Sequence, residues 1–68
     1  MARLRINGVE EEIAATTVTE LLASRGVNAS ARFLAVAVNG TVVRRSEWPS
    51  RSLTSGDSVE IVRPFSGG

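Results

Sequence analysis

The chain contains no cysteine, histidine, lysine or tyrosine. Without cysteine it can form no disulfide, no thiolate metal site and no redox couple. With histidine and lysine also missing, the usual general bases, Schiff-base amines and metal-binding rings are gone. Seven carboxylates remain, but none sits in an apolar setting that would raise its pKa for acid catalysis. The serine and threonine hydroxyls have no neighbouring base and read as cap and turn residues. An enzyme in its own right is therefore not expected, nor is a bound cofactor or metal. The absence of lysine also leaves no side-chain amine on which the protein could be conjugated to itself.

Long apolar runs are missing too. Met1-Ala2-Arg3-Leu4-Arg5-Ile6 alternates in polarity and offers nothing that a signal peptide or membrane span needs. A cytoplasmic location without a membrane partner is the expectation. Charge of one sign is scarce: eight arginines against seven acids give a net charge of +1. The arginines are scattered among the acids, and the pI of 9.1 reflects how far one residue moves a nearly neutral chain. No nucleic-acid partner is expected. Sixty-eight residues allow one small domain, near the lower limit for a single core.

What is present reads as alternating strands with turn signals. Leu4 and Ile6 face one way and Arg3 and Arg5 the other, the period of a half-buried strand. Asn7-Gly8 supplies the two positive-φ positions of a type I′ turn, and Val9-Glu10-Glu11-Glu12-Ile13 returns as a second strand. Its acids suit a solvated edge, with a partner-docking face as the alternative. Thr17-Val18-Thr19-Glu20 fits a capping box, with Glu20 reaching back to the amide of residue 17. The helix it opens carries Val18, Leu21 and Leu22 on one stripe, with Arg25 as a last-turn charge and Gly26 as the stop. After a polar connection over 28–32, Phe33-Leu34-Ala35-Val36-Ala37-Val38 reads as a strand with its larger side chains on the core.

Asn39-Gly40 repeats the hairpin signal, and Thr41-Val42-Val43-Arg44 returns from it. The segment 45–50 reads as one short turn capped by Ser46. Leu53 returns to the core, Ser55-Gly56-Asp57 turns, and Ser58-Val59-Glu60-Ile61-Val62 is a last strand with Val59 and Ile61 inward. The glycines at 8, 40 and 56 are each explained by a turn, so no phosphate-binding loop is indicated. The order strand, strand, helix, strand, strand, short turn, strand predicts an α+β β-grasp fold: a mixed sheet of about five strands with one main helix on one face.

The division expected is a β-grasp domain over 1–63 and a flexible C-terminal tail over 64–68. Pro64 cannot donate a ladder hydrogen bond, and Gly67-Gly68 ends the sequence without side chains. Six extended residues from Arg63 span about 20 Å, enough to carry the Gly68 carboxylate into another protein's active site. Gly67 and Gly68 would pass a channel too narrow for a Cβ. A frayed end or a cloning scar is the plainer reading of the same dipeptide. If the tail is functional, its carboxylate is a poor electrophile that must be activated. Adenylation by ATP creates the leaving group, after which sulfur gives a thiocarboxylate and an amine gives an amide.

The segments Val36-Ala37-Val38-Asn39-Gly40-Thr41-Val42-Val43, Arg45-Ser46-Glu47-Trp48, Gly56-Asp57-Ser58-Val59-Glu60-Ile61-Val62 and Gly67-Gly68 resemble the ThiS family of sulfur carrier proteins for thiamine biosynthesis. The resemblance spans essentially the whole chain, and Arg-Ser-x-Trp after the second Asn-Gly is its more specific part. It implies a carrier whose terminal glycine, here Gly68 with Gly67 as companion, is adenylated by a ThiF-type, E1-like enzyme that consumes ATP. The resulting thiocarboxylate would donate sulfur to a ThiG-type thiazole synthase, the sulfur coming from cysteine through a desulfurase. The sequence departs from the family pattern at Arg44, where proline is expected, and at Pro64, which stiffens the base of the tail.

Phe65 and Ser66 lie between the last strand and the glycines. Phe65, beyond the last strand, is a candidate partner-docking residue. Trp48, the sole tryptophan, reads as a cover on one edge of the core, with a partner-facing anchor as its functional alternative. A carrier for another sulfur pathway, such as molybdopterin or cysteine formation, shares the tail chemistry. A ubiquitin-like protein modifier and a plain interaction module remain as different classes, because fold alone does not choose among them.

Overall fold

Two Asn-Gly turns and one short helix generate the architecture. The computed structural model describes residues 1–63; residues 64–68 lie outside the description. Strand β1 (Ala2–Ile6) turns at Asn7 (φ 51) and Gly8 (φ 85) into β2 (Val9–Ile13). Helix α1 (Val18–Ser24) follows, then β3 (Ala35–Val38). A second turn at Asn39 (φ 53) and Gly40 (φ 82) leads into β4 (Thr41–Val43). A single 3-10 turn (Arg45–Glu47) precedes β5 (Ser58–Val62). Both hairpin turns have the two positive φ values of a type I′ turn, so the sequence reading of Asn-Gly holds at each.

The strand order is β2-β1-β5-β3-β4. The β1–β2, β3–β4 and β3–β5 pairs are antiparallel and β1–β5 is parallel, as a β-grasp sheet requires. The two hairpins are thus joined by the last strand, which lies at the centre. Register assigns the faces. Leu4, Ile6, Val36, Val38, Val43, Val59 and Ile61 are buried beneath α1, whose Val18, Leu21 and Leu22 are fully enclosed. Arg3, Arg5, Glu10, Glu12, Glu60, Val62, Ala35, Ala37 and Val42 occupy the open face.

Helix α1 starts and stops as its residues dictate, with one shift. The Thr17 hydroxyl accepts from the Glu20 amide at 3.2 Å. The Glu20 carboxylate, however, reaches one residue further back than the capping box predicted, accepting from the Thr16 amide (2.7 Å) and hydroxyl (2.9 Å). The chain around Thr17 is occupied by a bridge to Ser52, with the Val18 amide on the Arg51 carbonyl and the Leu53 amide on that of Thr16. At the other end the Gly26 amide bonds the Ala23 carbonyl and the Val27 amide that of Leu22, a Schellman closure with Gly26 at φ 71. Arg25 is the C-cap, and its guanidinium pairs with Glu11 of β2 at 2.9 Å.

Two local expectations fail. The strand expected from Phe33 begins at Ala35. Phe33 has φ 61, a left-handed conformation incompatible with a strand, and is 81% exposed. Ahead of it the connection is already committed: Asn28 closes an Asx turn onto Ser30, and the Arg45 guanidinium holds the carbonyls of Ala29 and Ala31. Nor does Ser46 cap the 3-10 turn, because it lies inside it. The N-cap is Arg44, without a side-chain hydrogen bond.

Candidate functional site

The functional expectations converge on the end of β5. Its burial alternates as predicted: Val59 and Ile61 point into the core, while Glu60 and Val62 face outward. Ala35 pairs with Val62, and the strand stops there, one residue before Arg63. Four of the sequence-predicted site residues, Phe65, Ser66, Gly67 and Gly68, lie outside the described residues. Of the predicted site residues, Trp48 is the one among the described residues.

Trp48 belongs to the core. It is 2% exposed, its indole Nε1 donates to the Val43 carbonyl at 2.9 Å, and the Arg45 guanidinium lies 4.8 Å from its ring centroid. Its own carbonyl accepts from the Thr19 amide in the first turn of α1. An anchor must present its ring to a partner, and this ring is spent on the core. The partner-facing reading of Trp48 is corrected accordingly, and the core-cover reading is the one found.

The side chains of both turn asparagines bond β5, which a reading of Asn-Gly as backbone geometry missed. Asn39 holds the start of the strand: its Oδ1 accepts from the Ser58 amide (2.9 Å) and its Nδ2 donates to Asp57 (3.0 Å). Asn7 holds the far end: its Oδ1 accepts from the Ile61 amide (2.8 Å) and its Nδ2 donates to the Ile61 carbonyl (3.3 Å). Only the choice of asparagine over glycine or aspartate at these turns hinted at a carboxamide with work to do.

Electrostatics on the open face are local. Arg3 and Arg5 bridge to Glu10, and Arg3 also reaches Glu12. The Arg3 hydrogen bond to Glu10, with the charges of both arginines, draws the Glu10 carboxyl below its usual value. Glu20 is lowered by the Thr16 amide and hydroxyl. At Asp57 partial burial pushes upward, but bonds from the Thr54 amide, Asn39 and the Thr54 hydroxyl, with the Arg51 charge, outweigh it and leave the carboxyl lowered. None of these settings raises a carboxyl toward acid catalysis.

A shallow depression of about 510 Å³, lined by Arg3, Arg5, Glu10, Ser55, Gly56 and Asp57 among others, lies at the Ser58 end of β5. Five residues of strand, roughly 17 Å, separate that end from Arg63, so the depression is remote from the chain's exit. Among the described residues no cluster of three or more His, Cys, Asp or Glu could hold a metal ion, and no helix is long and apolar enough to cross a membrane. The residues around the exit are mixed: Glu60 shares the open face with Val62, and Arg63 follows it. Val62 is 59% and Val42 71% exposed, and Ala35 and Ala37 lie between them on the open face.

Comparison with known proteins fits this geometry. No curated protein matches the chain. A crystal structure titled thiamine biosynthesis protein (ThiS) from Geobacter metallireducens is 32% identical, with a TM-score of 0.78, covering 97% of this chain and 99% of its own. A solution NMR structure of a thiamine biosynthesis protein from the same organism is 30% identical, also with a TM-score of 0.78, covering 97% of this chain and 87% of its own. The family model described as ThiS matches residues 4–68, which takes in β1 from Leu4, every later strand, the helix and Gly67-Gly68. The chain belongs to the ThiS family.

Proposed function

We propose that this protein is a sulfur carrier, the substrate of partner enzymes and not itself a catalyst, and that the Gly68 carboxylate is its working group. The observation that carries the reading is the extent of the family match, which runs through residue 68 and so includes the Gly-Gly end along with the domain that bears it. The side-chain inventory supports the same division of labour. With no histidine, cysteine, lysine or tyrosine, the chain must receive its chemistry from outside.

The steps follow from carboxylate chemistry. A Gly68 carboxylate oxygen attacks the α-phosphorus of ATP on a ThiF-type enzyme, expelling pyrophosphate and forming an acyl adenylate. A persulfide sulfur, delivered through a cysteine desulfurase, then attacks the acyl carbon and displaces AMP to give an acyl disulfide, and a second thiol cleaves its S–S bond, becoming a disulfide and leaving the thiocarboxylate. That sulfur passes to a ThiG-type thiazole synthase for the thiazole of thiamine. The protein contributes address and reach: the β-grasp domain docks, with Phe65 and the exposed Val62 as its apolar contacts. The segment 64–68 carries the reactive end inward, with Ser66 and Gly67 leading to Gly68.

Intact mass spectrometry after incubation with ATP, a ThiF-type enzyme and a sulfide source tests the reading. Replacement of one oxygen by sulfur, mapped to Gly68, is expected, and its loss on deletion of Gly67-Gly68 without loss of folding. An unchanged mass, with an enzyme that activates another carrier, overturns it in favour of a protein modifier or an interaction module.

A further inference from the structure

The reactive end of a carrier must be long enough to thread and short enough not to wander, so something has to fix where the fold stops. β5 runs between β1 and β3, and in such a strand the main-chain groups of alternate residues face alternate neighbours. Val59 faces β1, since its carbonyl accepts from the Asn7 amide at 2.9 Å. Ile61, two residues on, faces the same side. There β1 has already turned away, because its last partner on β5 is the Ile6–Val59 pair. The amide and carbonyl of Ile61 would be left without strand partners on that side. The Asn7 carboxamide takes both, replacing a missing rung of the ladder with a side chain.

We propose that Asn7 is a positioning residue, whose paired hydrogen bonds to Ile61 extend the β1-side hold on β5 by two residues, beside the β3 ladder that runs to Val62, and fix the direction from which the chain departs at Arg63. The inference rests on the carrier reading for its consequence in catalysis, but not for its structural part. The second turn supplies a matched control. Asn39 has nearly the same φ (53 against 51) and the same Asn-Gly context, and bonds β5 through its carboxamide, but at Ser58, the end away from the exit. Glycine suits the backbone at either position, so Asn7→Gly and Asn39→Gly each remove a carboxamide without straining the turn.

The test compares these two variants with the unaltered full chain by NMR and by steady-state adenylation. In Asn7→Gly the Ile61 amide should exchange about tenfold faster relative to the Arg5 amide on the same ladder. The ¹H–¹⁵N NOE should fall at Val62 and Arg63. The KM of a ThiF-type enzyme for the carrier should rise about fivefold with kcat within about twofold, since a looser exit affects capture and not chemistry. Asn39→Gly should leave all three readouts near those of the unaltered chain. Asn7→Asp keeps the acceptor for the Ile61 amide but sets two oxygens against each other at the second contact, and should fall between. An unchanged NOE at Val62 and Arg63 in Asn7→Gly, or an equal rise in KM for Asn39→Gly, overturns the proposal. If the unaltered chain is not adenylated at all, the carrier reading fails, and the NOE alone decides whether Asn7 holds the exit.

Discussion

Replacing Trp48 with phenylalanine separates a core residue from a docking residue, and the structure fixes the size of the effect. The substitution deletes the indole N–H that satisfies the Val43 carbonyl at 2.9 Å in a buried setting, and an unpaired buried acceptor costs about 1–3 kcal/mol. It also shrinks a ring that is 2% exposed and weakens the platform for Arg45, 4.8 Å away. The latter interaction is worth about 0.5–1 kcal/mol at such a site. A total of about 2–4 kcal/mol is expected. A domain of 68 residues has roughly 3–10 kcal/mol of stability in all, and each kcal/mol moves the Tm of so small a domain by about 4–8 °C. Trp48→Phe should therefore lower Tm by at least about 8 °C. Thermal and urea unfolding followed by far-UV circular dichroism measure the Tm and the free energy without the lost fluorophore. A variant within about 0.5 kcal/mol of the unaltered chain would refute the packing argument, and with weakened capture by a partner enzyme would restore Trp48 as an anchor.

Gly26→Ala should cost about 1–2 kcal/mol by equilibrium unfolding: at φ 71 a Cβ meets nothing within 4 Å, so the penalty is that of left-handed backbone alone. Phe33→Asn should stabilise by about 0.5–1 kcal/mol, because asparagine tolerates φ 61 better than a bulky ring and the exposed ring has little packing to lose; a loss of stability would show that the ring packs. The carboxyls of Glu10, Glu20 and Asp57 are lowered in the fold from ordinary values of 4.5, 4.5 and 3.8. Their stabilisation is thus complete above those values and lost as pH falls through the lower folded ones. Melting temperature should be flat near neutrality and decline below pH 4.5, and Asp57→Asn should decline less steeply over the acid limb. An identical acid limb in the variant would contradict the bonding described for Asp57.

The sequence disclosed most where two signals agreed. At Asn7-Gly8 and Asn39-Gly40 the turn chemistry and the flanking alternation pointed to the same hairpins, and both form with positive φ at each central residue. Val18, Leu21 and Leu22 lay on one stripe between a cap and a glycine stop, and all three are buried. Phe33 misled because an aromatic beside an apolar run looks like strand, whereas it sits at φ 61 just after a connection held by Arg45 at Ala29 and Ala31, a long-range contact that no local window contains. Glu20 fell on Thr16 and not on Thr17 for a similar reason, since a bridge to Ser52 shapes the chain there. For the candidate site, the sequence named the terminal residues but not the hold on the strand before them. The Asn7 carboxamide meets Ile61 across 54 positions, and only the topology brings them together.

The central placement of β5 has a consequence for how the protein is made. Until Ser58–Val62 has left the ribosome, the emerging chain can form β1 with β2 and β3 with β4, but no strand links the two hairpins. Each presents an unpaired inner edge, the kind of surface on which chains associate. The sheet closes only when the final strand arrives, between residues translated long before it, and such distant pairings are slow to form. A chain cut off before β5 therefore leaves two hairpins with nothing to join them, and the sheet cannot close.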